Sequence, residues 1–558
     1  MAKSKSRAGC CLCLVLLVAA ALVILCLALF FKNKCVEGQF RNAAVAADSE
    51  RCSQIGRDIL EEGGSVVDGA IAALLCTSLM NPQSMGLGGG AIFTVLDRMG
   101  NVTIITSRET VPKHFQKDLL KNCSQSNFFY TDAAWIGVPG EIRGYELAHR
   151  LYGKLPWAKL FEATIRLARD GFPVPLYLGN FLSHPFLKRK IEKSSLCDVF
   201  CNKNRTVLQA GEMLRLPALA NTLSTIAEQG ADAFYTGQIA SDLIHDVTAA
   251  GGTLSLEDLR SFKAEVMNPW TLPLGDHVLY LPPPPAGGAI LGFVLNVMKG
   301  YKLNPSSVEG AQKTLTYHRY VEVSKFANGQ RKMICDPSFI SGKNPNWLIK
   351  EEFAERIRKM ISDRATHSPE FYNATPSMDR LGTTHVSVVA ADGSAVSVTS
   401  TINHIFGSMV YSHKTGVILN NELADFCGYQ NRLSAGEQPP SSMAPAIVYS
   451  KSKKKTLAIG GAGGTMITAA MAQTLMNHLW FGKNLTDAIG APVIFVDANN
   501  TVNPEKHFDK TVIDGLTRLG HTVGQWPFFL NVVNAAAKEG TCISAVSDAR
   551  KLGRAAGF

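Results

Sequence analysis

The most apolar stretch of the chain is the uncharged run from Ala8 to Phe31. At 1.5 Å per residue it is long enough to cross a hydrocarbon core of ~30 Å. A secretory signal would carry an apolar region of about 7–15 residues ending in small side chains, whereas this run ends Leu29-Phe30-Phe31-Lys32. It reads as an uncleaved signal anchor: a transmembrane helix over 10–31, with residues 1–9 as a cytoplasmic tail. Three basic residues precede it and two follow, so charge bias contributes little to its orientation.

Beyond the anchor the pattern is mixed, with no repeat and no low-complexity linker apart from Pro282 to Pro285. Ser65-Val66-Val67-Asp68 is a capping-box pattern, and apolar residues at 67, 70, 71, 74 and 75 follow at helical spacing. Trp157 to Asp170 predicts a second helix, stopped by Gly171. Short apolar runs at Ala91–Leu96, Val278–Leu281 and Phe528–Val533 predict strands. The class is α+β, with strands concentrated in the last third.

Two local patterns carry chemistry. His385–Ala391 and Ala395–Ile402 are Val/Ser/Thr-rich and flank Asp392-Gly393, a strong hairpin signal. A two-residue loop sets Thr383 opposite Ile402, within one residue of Thr401. Two edge threonines of an ordinary hairpin would look the same. In the second pattern, Thr456–Ile459 runs into Gly460-Gly461-Ala462-Gly463-Gly464 and then an apolar helix, Thr465 to Phe481. A strand, glycine turn and helix leave backbone N–H groups aimed at one spot, which suits a developing negative charge. The turn lacks the spacing of a dinucleotide loop and the lysine of a P-loop, while close strand–helix packing remains an equal reading. Gly86-Leu87-Gly88-Gly89-Gly90 is similarly open.

Composition narrows the class. The chain has 558 residues, 46% hydrophobic and 18% charged, near the globular average. Of the net charge of +10, five units lie in the first 34 residues, leaving too little on the rest to suggest a nucleic-acid binder. Asn-x-Ser/Thr triplets at Asn101, Asn122, Asn204, Asn373, Asn484 and Asn499 suit a luminal or extracellular surface. Nine of the 13 cysteines lie after the anchor, so at least one has no intramolecular partner. Cys197 and Cys201 fit a local disulfide better than a zinc site. Cys10, Cys11 and Cys13 suit either palmitoylation or apolar filler. The 13 histidines are scattered, no H-E-x-x-H occurs, and neither metal nor cofactor is expected.

From about Ala43 to Phe558 the chain resembles the gamma-glutamyltransferases, through NPQSMGLGGG, SRETVP, VPGEIRGYELAHR, GTTHVSVVAADGSAVSVTSTIN, GVILNNELADF, PSSMAPAIV, GGAGGT and SDARKLGRAAGF. NPQSMGLGGG, PPPPAGGAIL and PFFLNVV look most like the γ-glutamyl leukotrienase branch. The resemblance implies an N-terminal-nucleophile hydrolase with a four-layer αββα sandwich. It implies a precursor that cuts itself at Gly382-Thr383 into a large subunit (32–382) and a small subunit (383–558) of one heterodimer. The chemistry fits: the Thr383 hydroxyl attacks the Gly382 carbonyl, and hydrolysis of the resulting ester frees a threonine with both a hydroxyl and an α-amine. That amine, with a reference pKa of ~7.7–8.0, can serve as the base.

The resemblance also implies roles. Thr383 is the nucleophile, Thr401 orients it, and Gly463 and Gly464 donate to the oxyanion. Arg108, Ser441 and Ser442 hold the substrate α-carboxylate. Asn403, Glu422 and Asp425 hold the α-ammonium. Cys52 pairs with Cys76 and Cys197 with Cys201, which leaves Cys35, Cys123, Cys335, Cys427 and Cys542 unassigned. Leu381 stands where many relatives have glycine, and the stretch from Asp425 to Ser441 is shorter than the lid of better-known members. The function expected is cleavage of γ-glutamyl amides of glutathione and its conjugates, the glutathione-conjugated leukotriene included. The acyl group passes to water, an amino acid or a dipeptide, at the outer face of the cell membrane. The alternatives are an uncleaved, inactive ectodomain that serves in binding or adhesion, and an amidase of the same fold acting on another acyl group.

Overall fold

Two seven-stranded antiparallel sheets organise the chain. The first runs in the order Gln39–Phe40, Cys542–Val546, Val532–Glu539, Lys455–Ala462, Ala446–Ser450, His277–Leu281, Trp270–Leu274; the second runs Ala556–Gly557, Ala43–Ala46, Thr384–Ala390, Ala395–Thr401, Gly90–Leu96, Val102–Thr106, Glu265–Met267. They belong to a computed structural model that describes residues 35–36, 38–123, 130–340, 344–374, 382–429, 432–526 and 532–558. The anchor expected at 10–31, its flanking tail and Leu381 lie outside the described residues. Among those described, no helix is long and apolar enough to cross a membrane.

Alternation along the strands explains the layering, because successive side chains leave opposite faces. Ala44, Leu96, Val389, Ala395, Ile447, Ala458, Ala536 and Ile543 meet between the sheets. Their neighbours Val45, Val386, Val388, Val396 and Val398 point the other way, into a core shared with the helices Glu50–Glu61 and Val66–Met80. On the far side Val448, Leu457 and Ile459 pack against the helices Gly288–Lys299 and Met466–Leu479. The order is helix, sheet, sheet, helix, as the resemblance implied.

The capping box forms as read: the Asp68 N–H donates to Ser65 Oγ (3.1 Å) and the Ser65 N–H to Asp68 Oδ2 (2.8 Å). Trp157–Phe161 is a 3₁₀ turn leading into the helix Glu162–Asp170, and Gly171 ends it at φ +93°. Strands prove less confined to the last third than expected. Ala43–Ala46 and Val102–Thr106 were missed, the first because an Ala-Ala-Val-Ala segment lacks the β-branched signature. The strand expected at Phe528–Val533 begins, in its described part, at Val532 and continues to Glu539.

The hairpin also needs correcting by one residue. Val389 pairs with Ala395, the Ala390 N–H donates to the Ser394 carbonyl (3.0 Å), and Gly393 takes φ +89°. This is a three-residue loop closed by a left-handed glycine, the other geometry that Asp-Gly supports. Thr384 then pairs with Ser400, and the register brings Thr383 level with Thr401.

Cys52–Cys76 and Cys197–Cys201 are disulfides as implied, which disposes of the zinc alternative. Two further bridges, Cys35–Cys542 and Cys123–Cys427, take up four of the unassigned cysteines. Cys335 is the odd one; burial pushes its thiol up to about 11, so it is a poor nucleophile. All six sequon asparagines are exposed.

The Gly-rich segment near residue 88 resolves as packing. A Cβ on Gly89 would lie 2.0 Å from the Thr401 carbonyl oxygen, and the Gly89 carbonyl accepts from the N–H groups of Gly140 and Glu141. Glu141 opens the helix Glu141–Tyr152 and is fully buried, with Oε1 accepting from the Tyr145 hydroxyl (2.5 Å). Burial pushes its carboxyl up to about 8. The folded protein therefore keeps this proton between pH ~4.5 and ~8 while the unfolded chain releases it, so stability falls as pH rises through that window. Glu141→Gln should flatten the fall by a few kcal/mol in order of magnitude. Unfolding midpoints between pH 5 and 9 check this, and parallel curves for the two proteins would refute it.

Candidate active site

Thr383 stands at the head of the strand Thr384–Ala390, buried, with φ +87°. A β-branched residue rarely occupies that region, at a cost of roughly 1–3 kcal/mol. Neighbouring groups fix it from several sides. Its N–H donates to the Ser84 carbonyl (3.2 Å), and its hydroxyl lies 3.3 Å from Thr401 Oγ1, which accepts from the Asn403 N–H (2.8 Å). The preceding carbonyl, that of Gly382, accepts from the Gly463 N–H (3.1 Å). Gly463 and Gly464 reach φ +118° and +61° where the strand Lys455–Ala462 turns into the helix Met466–Leu479. Of the two readings of the glycine turn, donation of an N–H toward the carbonyl before Thr383 is the one the geometry favours.

Thr383, Thr401, Asn403, Glu422, Asp425, Ser441, Ser442 and Gly464 all line one cleft. Tyr429, Pro440, Met443, Thr465 and Ile467 complete the lining beside them. Glu422 and Asp425 share the 3₁₀ turn Glu422–Phe426, and the Glu422 N–H is anchored on Asn420 Oδ1 (2.9 Å).

Arg108 sits behind this wall, fully buried, and all of its donors are engaged. Nε donates to the Pro439 carbonyl (3.2 Å), Nη1 to Glu422 and Glu109 (3.4 Å to the latter), and Nη2 to Asp425 (2.7 Å) and the Pro440 carbonyl (3.1 Å). Here the structure departs from the simple expectation of a guanidinium facing a carboxylate. One cation cannot neutralise three buried carboxyls, and burial pushes Glu109 up to about 8 and Glu422 well above the usual range. Glu109, the neighbour of Arg108 in SRETVP, was missed because its crowding with Glu422 and Asp425 around one arginine involves residues more than 300 positions away.

Two other positioning groups were missed. Arg331 donates to Ser442 Oγ (3.0 Å) and to the Thr465 carbonyl (3.1 Å), tying the serine pair to the glycine turn. Lys551 donates from Nζ to the Thr383 carbonyl and to Asp48 Oδ2, both at 2.6 Å. Asp48 in turn accepts from Thr384 Oγ1 (2.5 Å) and Asn534 Nδ2 (2.7 Å). The motif SDARK was visible in the sequence, but nothing local showed what its lysine touches. On the self-cleavage that the family resemblance implies, Lys551→Met should slow fragment appearance about 10–100-fold by loosening Thr383. It also leaves Asp48 buried and unpaired, so Asp48→Asn combined with Lys551→Met separates stability from positioning. Normal cutting in that double variant would show that Lys551 does not position Thr383.

The histidines, read as scattered, do meet once: His318, Glu322 and His521 bring ligand atoms within 4.8 Å of one another. Hydrogen bonds already use their nitrogens. His318 Nε2 bonds the Ser362 carbonyl (2.6 Å), its Nδ1 bonds His521 Nε2 (2.7 Å), and His521 Nδ1 bonds Lys325 Nζ (2.9 Å). Burial, with Lys325 beside it, holds His521 down to about 3.

A strained threonine, an N–H aimed at the carbonyl before it, and an acid pair facing a serine pair make an acyl-transfer site. The gamma-glutamyltranspeptidase family model matches residues 52–558. The chain belongs to this family. It is 47% identical over 556 residues to the glutathione hydrolase 5 proenzyme of Mus musculus, covering 96% of this chain and 97% of that one. Its identity to the Homo sapiens protein of the same name is 46% over 552 residues, covering 94% of each. Among solved structures, the cephalosporin acylase of Bacillus halodurans matches with a TM-score of 0.83 at 24% identity, covering 93% of this chain and 96% of that one, a likeness of fold. The gamma-glutamyltranspeptidase of Pseudomonas nitroreducens matches at 0.52 and 26%, over 60% of this chain and 98% of that one. The fold is thus that of the N-terminal-nucleophile hydrolases, and the chain is an enzyme of the glutathione hydrolase class, acting on γ-glutamyl amides.

Proposed function

We propose that the chain is a membrane-anchored ectoenzyme precursor. It cuts itself at Gly382-Thr383 and then hydrolyses or transfers the γ-glutamyl group of glutathione and its conjugates through a γ-glutamyl-Thr383 ester. The observation that carries this is Thr383 itself: left-handed, its hydroxyl on Thr401, with the adjoining Gly382 carbonyl on the Gly463 N–H. In the self-cleavage, Thr383 Oγ adds to the Gly382 carbon, the C–N bond breaks, and the nitrogen takes the hydroxyl proton. Water then splits the ester into a Gly382 carboxylate and the Thr383 hydroxyl, leaving Thr383 with the α-amine that the C–N cleavage freed. The same Oγ, with that amine as base, attacks the γ-carbonyl of the substrate, and the turn at Gly463 and Gly464 is placed to receive the oxyanion.

Substrate binding exchanges ion pairs. Glu422 and Asp425 face the cleft and suit the α-ammonium, with Asn403 beside them, while Ser441 and Ser442 suit the α-carboxylate. Arg108 reaches that carboxylate only as its own acids turn to the ammonium. Preference for the glutathione-conjugated leukotriene rests on the branch likeness alone, and comparative kinetics with glutathione tests it.

The outward orientation is supported by four disulfides, which persist in oxidising compartments, and by six exposed sequon asparagines. Protease and peptide-N-glycosidase treatment of intact cells tests it; an ectodomain protected from the first and unshifted by the second overturns it. N-terminal sequencing of the smaller band on a denaturing gel tests the cut, which should leave Thr383 first.

A further inference from the structure

Two of the four disulfides join residues on opposite sides of Gly382-Thr383, namely Cys35–Cys542 and Cys123–Cys427. The other two lie wholly before it. Cys427 directly follows the turn Glu422–Phe426 that carries both cleft acids, and Cys123 directly follows the 3₁₀ turn Leu119–Asn122. Around this bridge Val111, Leu119, Trp135, Leu423 and Phe426 form a separate apolar cluster. The turn bearing Glu422 and Asp425 is thereby fastened to the segment that follows Arg108, their ion-pair partner.

We propose that Cys123–Cys427 is an inter-subunit clamp that holds the glutamate-binding turn in place, and that with Cys35–Cys542 it makes the processed enzyme a covalently joined pair. The covalent pair rests on the self-cleavage proposed above. The clamp can be opened by a small-molecule thiol, the chemical class to which glutathione belongs. A thiolate attacks Sγ of Cys123, half-buried and the more exposed of the two, and Cys427 leaves as thiolate. A second thiolate resolves the mixed disulfide, so two thiols are oxidised to one disulfide while both cysteines are reduced. The turn is then held by the apolar cluster and the Arg108 ion pairs alone.

The test uses full-length protein made through a secretory route and alkylated before denaturation. Peptide mapping without reductant should find Cys123 linked to Cys427 and Cys35 to Cys542 whether or not the chain has been cut, and absence of the linked peptides overturns the proposal. On gels, reductant should release two fragments that run as one species without it, and fragments already separate without reductant overturn it. One species in both lanes refutes the self-cleavage reading, while the peptide map still decides the bridges. Replacing Cys123 and Cys427 together by serine should raise KM for a γ-glutamyl anilide about tenfold with kcat little changed, as when the competent fraction falls to a tenth. The pair Cys35→Ser and Cys542→Ser, remote from the cleft, serves as control and should leave KM unchanged. An unchanged KM in the Cys123/Cys427 variant overturns the clamp.

Discussion

Thr383→Ala should remain a single chain and lose γ-glutamyl transfer by at least about 10⁴-fold, the scale on which removing a nucleophile acts. Alanine removes the oxygen that bonds Thr401, and with it the atom proposed to attack both the Gly382 carbonyl and the substrate. It leaves the Gly463 contact to the Gly382 carbonyl and the Lys551 contact to residue 383 in place, because both involve backbone oxygens. The fold should therefore persist, with an unfolding midpoint close to that of the uncut parent. Thr383→Ser keeps the hydroxyl and should still cut, more slowly, since loss of the γ-methyl frees the side chain to rotate. A Thr383→Ala chain that divides normally would place the nucleophile elsewhere.

The second large effect is expected at Arg108. Arg108→Gln keeps most of the side-chain volume but leaves Glu109, Glu422 and Asp425 facing one another without a cation, a loss of about 3–5 kcal/mol for a buried pair broken on one side. The pH dependence has a definite sign. Unpaired carboxyls in a buried site take up protons, and protonation relieves the repulsion, so the deficit should shrink as pH falls toward 5 and grow above 7. Activity cannot be recovered the same way, because protonated acids no longer attract an ammonium. Denaturant unfolding at pH 5, 7 and 8.5, with anilide kinetics alongside, separates the two effects. A pH-independent deficit would mean that the three acids do not share Arg108.

Local features were legible and distant ones were not. The capping box at Ser65, the glycine turn at 463–464 and the hairpin after Thr383 each lie within about twenty residues, where spacing encodes geometry. The hairpin was off by one because Asp-Gly serves both two- and three-residue loops, and only the ladder Thr384–Ser400 decides between them. The cleft residues came from family motifs, and the structure gathers all but Arg108 and Gly463 around one cleft, with those two bonded just behind it. What stayed hidden depends on partners far along the chain: Lys551 against Thr383, Cys123 against Cys427, and Arg108 against acids more than 300 residues away. No periodicity encodes such contacts, since they arise only when the two sheets close.

Both sheets take strands from either side of Thr383, and the strands at 532–557 complete them. During synthesis, then, the reactive threonine is made long before its surroundings. At 5–20 residues per second the interval from residue 383 to 557 is roughly 10–35 s. Throughout it the Lys551 ammonium and the strand Val532–Glu539 beside the glycine turn do not yet exist. On the self-cleavage proposed above, a nascent chain thus carries its own delay: the Gly382-Thr383 bond is not polarised until the segment bearing Lys551 has been made and placed.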